Sequence, residues 1–157
     1  MKVCDIIRKN HIIADLKGQT KEEIINELVD LLKSDERVTN IEKLRTAVHE
    51  REKIMSTGVG KGFAIPHGKT DAVKEIVAAF GKSKSPVDFA ALDEQPVFLV
   101  FLLVGKDNLV GPHIKLLSRI SRMMNKDEFR ENLLQADNPD EIYRIFQEEE
   151  NNYFEIS

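Results

Sequence analysis

The sequence predicts an α/β single-domain three-layer sandwich, with a mixed, mostly parallel sheet flanked by helices on both faces. Three observations lead there. Apolar patterns run in the order strand, two helices, several strands, several helices, the order of a sheet covered by helical layers. Val97 to Val104 is apolar at every position, as a central strand buried on both faces must be. The helical stretches also carry their own start signals. With 157 residues, 41% of them hydrophobic, the chain has the material for one core without disulfide support. One domain over residues 1–157 is expected, with a core of about 4–150 and an acidic tail, 151–157, that reads as a frayed and solvated helix end.

Taken in order, His11 to Leu16 (HIIADL) reads as a short strand and Lys17-Gly18 as the turn out of it. Thr20 and Glu23 then form a capping box, in which the hydroxyl and the carboxylate each satisfy a free N–H of the first turn. Ile24, Ile25, Leu28, Leu31 and Leu32 follow at helical spacing, giving an amphipathic helix over about 21–34. A second box, Thr39 and Glu42, opens a helix over about 41–55 whose stripe is Ile41, Leu44, Val48 and Met55. Phe63-Ala64-Ile65, Ile76 to Phe80 and Val97 to Val104 are short runs rich in branched and aromatic residues and read as strands. Ser85-Pro86 and Gln95-Pro96 punctuate the loop between the last two, with Val87-Asp88-Phe89 as a minor edge strand. From Gly111 the pattern is helical again. Pro112 lies in a first turn ahead of Ile114, Leu117, Ile120 and Met124; a short helix surrounds Phe129 to Leu134; and Asn138 caps a helix from Pro139 to about Glu149.

Composition excludes several classes of function. A formal charge of −4 with acids and bases interspersed leaves no basic stripe for a phosphate backbone, so nucleic acid is not an expected partner. The single cysteine, Cys4, can form no internal disulfide and no cysteine-based zinc cluster, and it suits a reducing compartment. No apolar run approaches the roughly 18 residues of a membrane span, so direct membrane insertion is not expected and the protein reads as soluble and cytoplasmic.

The stretch GKGFAIPHGKT resembles a phosphate-cradling P-loop in its closing Gly68-Lys69-Thr70, but five residues separate Gly62 from Gly68 where that motif has four. Its order is also inverted. The glycines Gly58, Gly60 and Gly62 precede the strand, Pro66 removes an N–H from the middle of the cradle, and too few residues follow Thr70 for a phosphate-facing helix. The same features display His67: Pro66 fixes the backbone as the chain leaves the strand, and Gly68 permits a sharp turn. His67 is then either an ordinary turn residue or a ligand-facing group at the carboxyl end of a strand, where α/β sheets meet their ligands. His113, in a helix's first turn on its buried side, is either a hydrogen-bonded structural residue or an imidazole kept neutral by the helix dipole. Arg51 shares a stripe with Leu44, Val48 and Met55, so its guanidinium either snorkels to water or enters a pocket that needs a fixed positive charge.

With Arg51-Glu52, Ser56-Thr57-Gly58, Gly62-Phe63-Ala64-Ile65-Pro66-His67-Gly68, Pro112-His113-Ile114 and Leu116-Leu117-Ser118 in view, the chain resembles the enzyme IIA domain of the phosphoenolpyruvate-dependent sugar phosphotransferase system. The type is the fructose/mannitol one, which includes the nitrogen-regulatory IIA proteins. The likeness extends from about residue 4 to 150 and takes in Asp93 before the central strand. It implies that the histidine matching His67 is transiently phosphorylated by a histidine-containing phosphocarrier protein and passes the group to a IIB component of a sugar permease. It also implies that the residues matching His113 and Arg51 line the same catalytic site. One departure is that Asp93-Glu94-Gln95-Pro96 lacks the glycine many members place there.

The chemistry is consistent with that implication. Neutral imidazole is a nucleophile near pH 7, and phosphoryl transfer asks mainly for in-line positioning and compensation of oxygen charge. Arg51 would supply the charge and His113 a hydrogen bond, with backbone N–H groups near Gly58 to Gly62 or near Pro112 assisting. No metal or other cofactor is required. Phe63 and Val110 are candidates for an apolar docking rim, or else core and scattered surface residues. Two roles compete within the family: feeding a permease, or acting as a regulatory interaction module that binds target proteins, to which a free-standing chain leans. A metal hydrolase needs at least three converging ligands, and His67 with His113 supplies two.

Overall fold

The computed structural model describes residues 2–155, with side chains to 152. Its elements are α1 (Val3–Ile6), β1 (Ile7–Ile13), α2 (Lys21–Asp30), α3 (Ile41–Ile54), β2 (Gly58–Gly60), β3 (Phe63–Ala64), β4 (His67–Thr70), β5 (Val77–Val87), β6 (Val97–Lys106), α4 (Val110–Met124), α5 (Asp127–Gln135) and α6 (Pro139–Glu155). The sheet order is β1-β5-β6-β3-β2, and β4 also pairs with β6. The sheet is mixed: β1/β5, β3/β6 and β4/β6 are parallel, while β5/β6 and β2/β3 are antiparallel.

Both faces of β6 are covered, which explains its unbroken apolar run. Leu99, Phe101 and Leu103 pack in one layer with Leu116, Ile120, Phe129 and Phe146. Val100, Leu102 and Val104 pack in the other with Ile24, Leu28, Leu44 and Val48. The α4–α6 layer and the α2–α3 layer therefore sandwich the sheet, as the pattern predicts.

Several boundaries differ from the sequence expectation, each for a physical reason. The Thr20 hydroxyl accepts the Glu23 N–H at 3.2 Å as predicted, but α2 ends at Asp30 because Leu31, Leu32 and Lys33 bond back three residues, tightening 31–34 into turns. The cap of α3 is Asn40, whose Oδ1 accepts the Lys43 N–H at 3.1 Å. Thr39 instead gives its hydroxyl to the Ala72 carbonyl. The buried side of α3 continues from Leu44 and Val48 to Glu52, not to Met55, which lies beyond the helix and is 60% exposed. β1 begins four residues earlier than expected, paired with β5 from Ile7, and ends before Ala14. β5 runs through Ser85-Pro86 to a pair between Val87 and Val97, so the expected loop and separate edge strand are one strand with an irregular register that accommodates the proline. In α4 the buried positions are His113, Leu116, Ile120, Met123 and Met124; Ile114 faces outward. α6 continues to Glu155, where a frayed tail was expected, and the last two residues lie outside the described ones.

Candidate functional site

Among the described residues β4 pairs only with β6, so its outer edge carries no strand, and α3 and α4 flank that edge from opposite faces of the sheet. A cavity of about 560 Å³ forms there, lined by Ala47, Glu50, Arg51 and Ile54 of α3, His67, Gly68 and Lys69 of β4, and His113, Ile114 and Leu117 of α4. The three residues singled out from sequence thus meet in one place. The other two histidines are elsewhere: His11 lies beside Asp35 at 3.4 Å and His49 beside Asn26 at 2.9 Å.

His67 does not end a strand, as the sequence predicted, but opens β4, pairing with Leu103 of β6. β3 and β4 both run parallel to β6 and are separated by Ile65-Pro66. Pro66 has no N–H to give to a ladder, so the strand breaks there and resumes at the histidine. The Ile65 carbonyl accepts the Nδ1–H of His67 at 2.8 Å. With the proton held on Nδ1, it is Nε2 of the half-buried ring that keeps a free lone pair. Burial lowers the His67 pKa below the usual imidazole value; the Ile65 bond opposes that shift, Arg51 and Lys69 add to it and Glu52 counters it.

The His113 ring lies 5.9 Å from that of His67, centroid to centroid, and is tilted by 54°. It is 2% exposed, and neither ring nitrogen has a hydrogen-bond partner among the described residues. Its pKa is lowered to about 4, first by burial and then by His67 and Lys69. The neutral ring foreseen from the helix dipole is therefore enforced mainly by desolvation. Gly105, which pairs with Lys69 across β4/β6, makes room for it: a Cβ at that position would overlap Nδ1 of His113.

Arg51 takes the second of its two sequence alternatives in part. It is half-buried and lines the cavity, but its Nη1 donates to the Met55 carbonyl at 2.9 Å, closing the end of its own helix. None of Gly58 to Gly62 lines the cavity; Gly60-Lys61-Gly62 forms the β2/β3 turn, with φ of 127°, 58° and 83°. Phe63 is fully buried and belongs to the core, whereas Val110 is 43% exposed. Two further residues were not read from sequence. Lys69 faces the cavity two positions after His67 on β4, and strand alternation would have found it had 67–70 been read as a strand. Glu52, which the sequence offered only as the neighbour of Arg51, is buried and near enough to His67 to favour its proton.

The family model described as "Phosphoenolpyruvate-dependent sugar phosphotransferase system, EIIA 2" matches residues 5–149. The chain belongs to this family. The IIA domain is 36% identical over 145 residues to the PTS system fructose-specific EIIABC component of Bacillus subtilis, covering 92% of this chain but only 23% of that protein. It is 32% identical to a nitrogen regulatory protein of Bradyrhizobium diazoefficiens, covering 92% of this chain and 94% of the other. Its fold matches the crystal structure of nitrogen regulatory protein IIA-Ntr from Neisseria meningitidis with a TM-score of 0.86 at 32% identity, over 92% of this chain and 98% of that one. Relatives of this IIA domain thus include both sugar-specific and nitrogen-regulatory proteins. Among its described residues no group of three or more histidine, cysteine or carboxylate side chains is placed to hold a metal ion, and no helix is long and apolar enough to cross a membrane.

Proposed function

We propose that this IIA domain is a phosphocarrier in which Nε2 of His67 accepts a phosphoryl group from a histidine-containing phosphocarrier protein and passes it to a IIB component. The observation that carries this reading is the pairing of one imidazole, fixed through Nδ1 to the Ile65 carbonyl, with a second, buried and without a partner, 5.9 Å away. A buried polar group left unpaired is costly, and a phosphate oxygen seated between the rings would give His113 an acceptor for an N–H.

In the transfer, the Nε2 lone pair forms a P–N bond as the P–N bond to the donor's imidazole breaks, and that electron pair returns to the donor's ring nitrogen. The proton on Nδ1 stays on the Ile65 carbonyl side throughout. Arg51, released from the Met55 carbonyl, and Lys69 offset the charge on the equatorial oxygens. Ile54 and Ile114, 80% and 59% exposed on opposite lips of the cavity, give the partner protein an apolar contact surface. Incubation with phosphoenolpyruvate, enzyme I and the phosphocarrier protein labels the parent chain on this reading. His67→Ala, a truncation at a half-buried position, remains folded and takes no label. Labelling of that variant at the parent's rate would contradict the reading.

A regulatory role, with phosphorylation state controlling the binding of target proteins, is favoured by the nitrogen-regulatory relative that this chain covers almost end to end. Onward transfer to a purified IIB component separates the two roles.

A further inference from the structure

We infer that Glu52 is a positioning residue for the reacting histidine: its buried carboxylate, acting through Thr57 and Ile65, holds the His67 ring in a single tautomer with Nε2 toward the cavity. This rests on the reading of His67 as the phosphoryl acceptor. Glu52 follows Leu44 and Val48 on the buried side of α3 and is only 7% exposed, at a position where an apolar residue would pack at lower cost. Its oxygens accept the Thr57 N–H at 2.8 Å and the Thr57 hydroxyl at 2.5 Å, and the Lys21 ammonium lies 3.1 Å away.

Taken alone, those bonds stitch the chain after α3 to the helix. Two further links extend them to the site. The Thr57 carbonyl accepts the Ile65 N–H at 3.0 Å, and the Ile65 carbonyl accepts Nδ1–H of His67 at 2.8 Å. On the far side, Pro66 fixes its own φ, and its carbonyl accepts the Leu103 N–H at 3.0 Å. The direction of the Ile65 carbonyl, and with it the tautomer of His67, is thus set from both sides, and Glu52 is the buried anchor of one of them. The carboxylate also acts at a distance, favouring the proton on His67 against burial and against Arg51 and Lys69. It thereby preserves the basicity that a nucleophile needs. In metal sites, losing the group that orients a histidine through its second ring nitrogen costs about ten- to a hundredfold; the lower end of that range is the expectation for a carboxylate acting through two intermediate links.

Long-range 1H–15N correlation spectra of the full chain report the tautomer and titration midpoint of His67, and a phosphorylation time course reports its rate as acceptor. The parent is expected to hold the Nδ1–H tautomer alone. Glu52→Gln, which keeps the shape and removes the charge, is expected to lower the His67 midpoint and mix the tautomers. It should slow acceptance by about tenfold with the KM for the donor protein unchanged, while Glu52→Asp restores part of the rate. If Glu52→Gln does not fold, Thr57→Val tests the same chain of bonds and is expected to mix the tautomers with the charge still in place. A folded Glu52→Gln, or Thr57→Val in its stead, with parental tautomer and rate overturns the inference. So does a loss equal in Gln and Asp that tracks melting temperature alone. A parent chain that accepts no phosphoryl group while keeping one His67 tautomer would end the phosphocarrier reading and leave the positioning role of Glu52 standing.

Discussion

At the scale of single residues, the proposed reaction gives His67 and Arg51 different tasks. Burial lowers the His67 pKa below the usual imidazole value, so the neutral form predominates at pH 7, and on the proposed reading acceptor activity should fall only as the pH descends below the usual imidazole range. On the proposed reading Arg51 carries the charge task. Arg51→Ala should slow phosphoryl acceptance by on the order of a hundredfold, the usual loss for a preorganised donor to a developing oxyanion, with Arg51→Lys recovering part of it. Stopped-flow transfer from the phosphorylated carrier protein measures both, and a rate within a few fold of the parent in Arg51→Ala would remove that role. The three candidates were legible in sequence because His67, His113 and Arg51 each break a local rule: a histidine between proline and glycine, a histidine on a buried helical side, an arginine beside an apolar stripe. Glu52 was not legible, since its reason for burial is Thr57 and Lys21, and Lys21 lies 31 residues away.

At the scale of elements, the close approach of β6 and α4 at the site depends on a residue with no side chain. A methyl group on Gly105 would overlap the His113 ring, so Gly105→Ala should displace that imidazole. The expected result is a stability loss of about 1–3 kcal/mol for overpacking and a fall in transfer rate of at least about tenfold. Thermal melts and the transfer assay together check this, and parental values in both would show that His113 moves aside at no cost. Elements were readable wherever their causes were local. The Thr20 cap and the all-apolar β6 appear as predicted. α1 escaped notice because a four-residue helix has no periodicity to read; the Glu150 carboxylate, 147 and 146 residues away, accepts the N–H groups of Val3 and Cys4 and completes its first turn. Likewise Pro86 signals a loop only until its strand is seen to be irregular beside β6. The non-glycine residue Glu94 sits at φ 62° in the turn before β6, at the segment where a glycine was missed from the sequence. Left-handed backbone costs a side-chain-bearing residue about 1–2 kcal/mol, and Glu94→Gly should recover up to about 1 kcal/mol in urea denaturation; a destabilised variant would mean that the turn gains more from the side chain than it loses.

At the scale of the whole molecule, the site's electrostatics tie function to folding. The folded pKa of His113 is about 4, against about 6.5 for an unconstrained histidine. The unfolded chain therefore binds a proton that the folded chain refuses between those values. Stability is fully present above about pH 6.5, declines as pH falls toward 4, and loses nothing further from this group below that. His113→Leu removes the dependence. The gap in stability between parent and variant should shift by on the order of 2 kcal/mol across that window, against the parent at low pH. Urea midpoints measured from pH 4 to 7 test this, and parallel pH profiles would show that His113 is protonated as readily when folded. The three-layer architecture follows from composition and periodicity, which record burial, whereas the meeting of α3, β4 and α4 at one edge depends on which strands pair with β6, and no local pattern encodes that.

The most direct test of the central claim is to phosphorylate the 15N-histidine-labelled protein with phosphoenolpyruvate, enzyme I and the phosphocarrier protein, and to identify the modified atom by 31P and 15N NMR. A single phosphoryl group on Nε2 of His67, with Nδ1 still protonated and bonded to the Ile65 carbonyl, is the predicted result. A group on Nδ1 of His67, on His113, or on no histidine would contradict it.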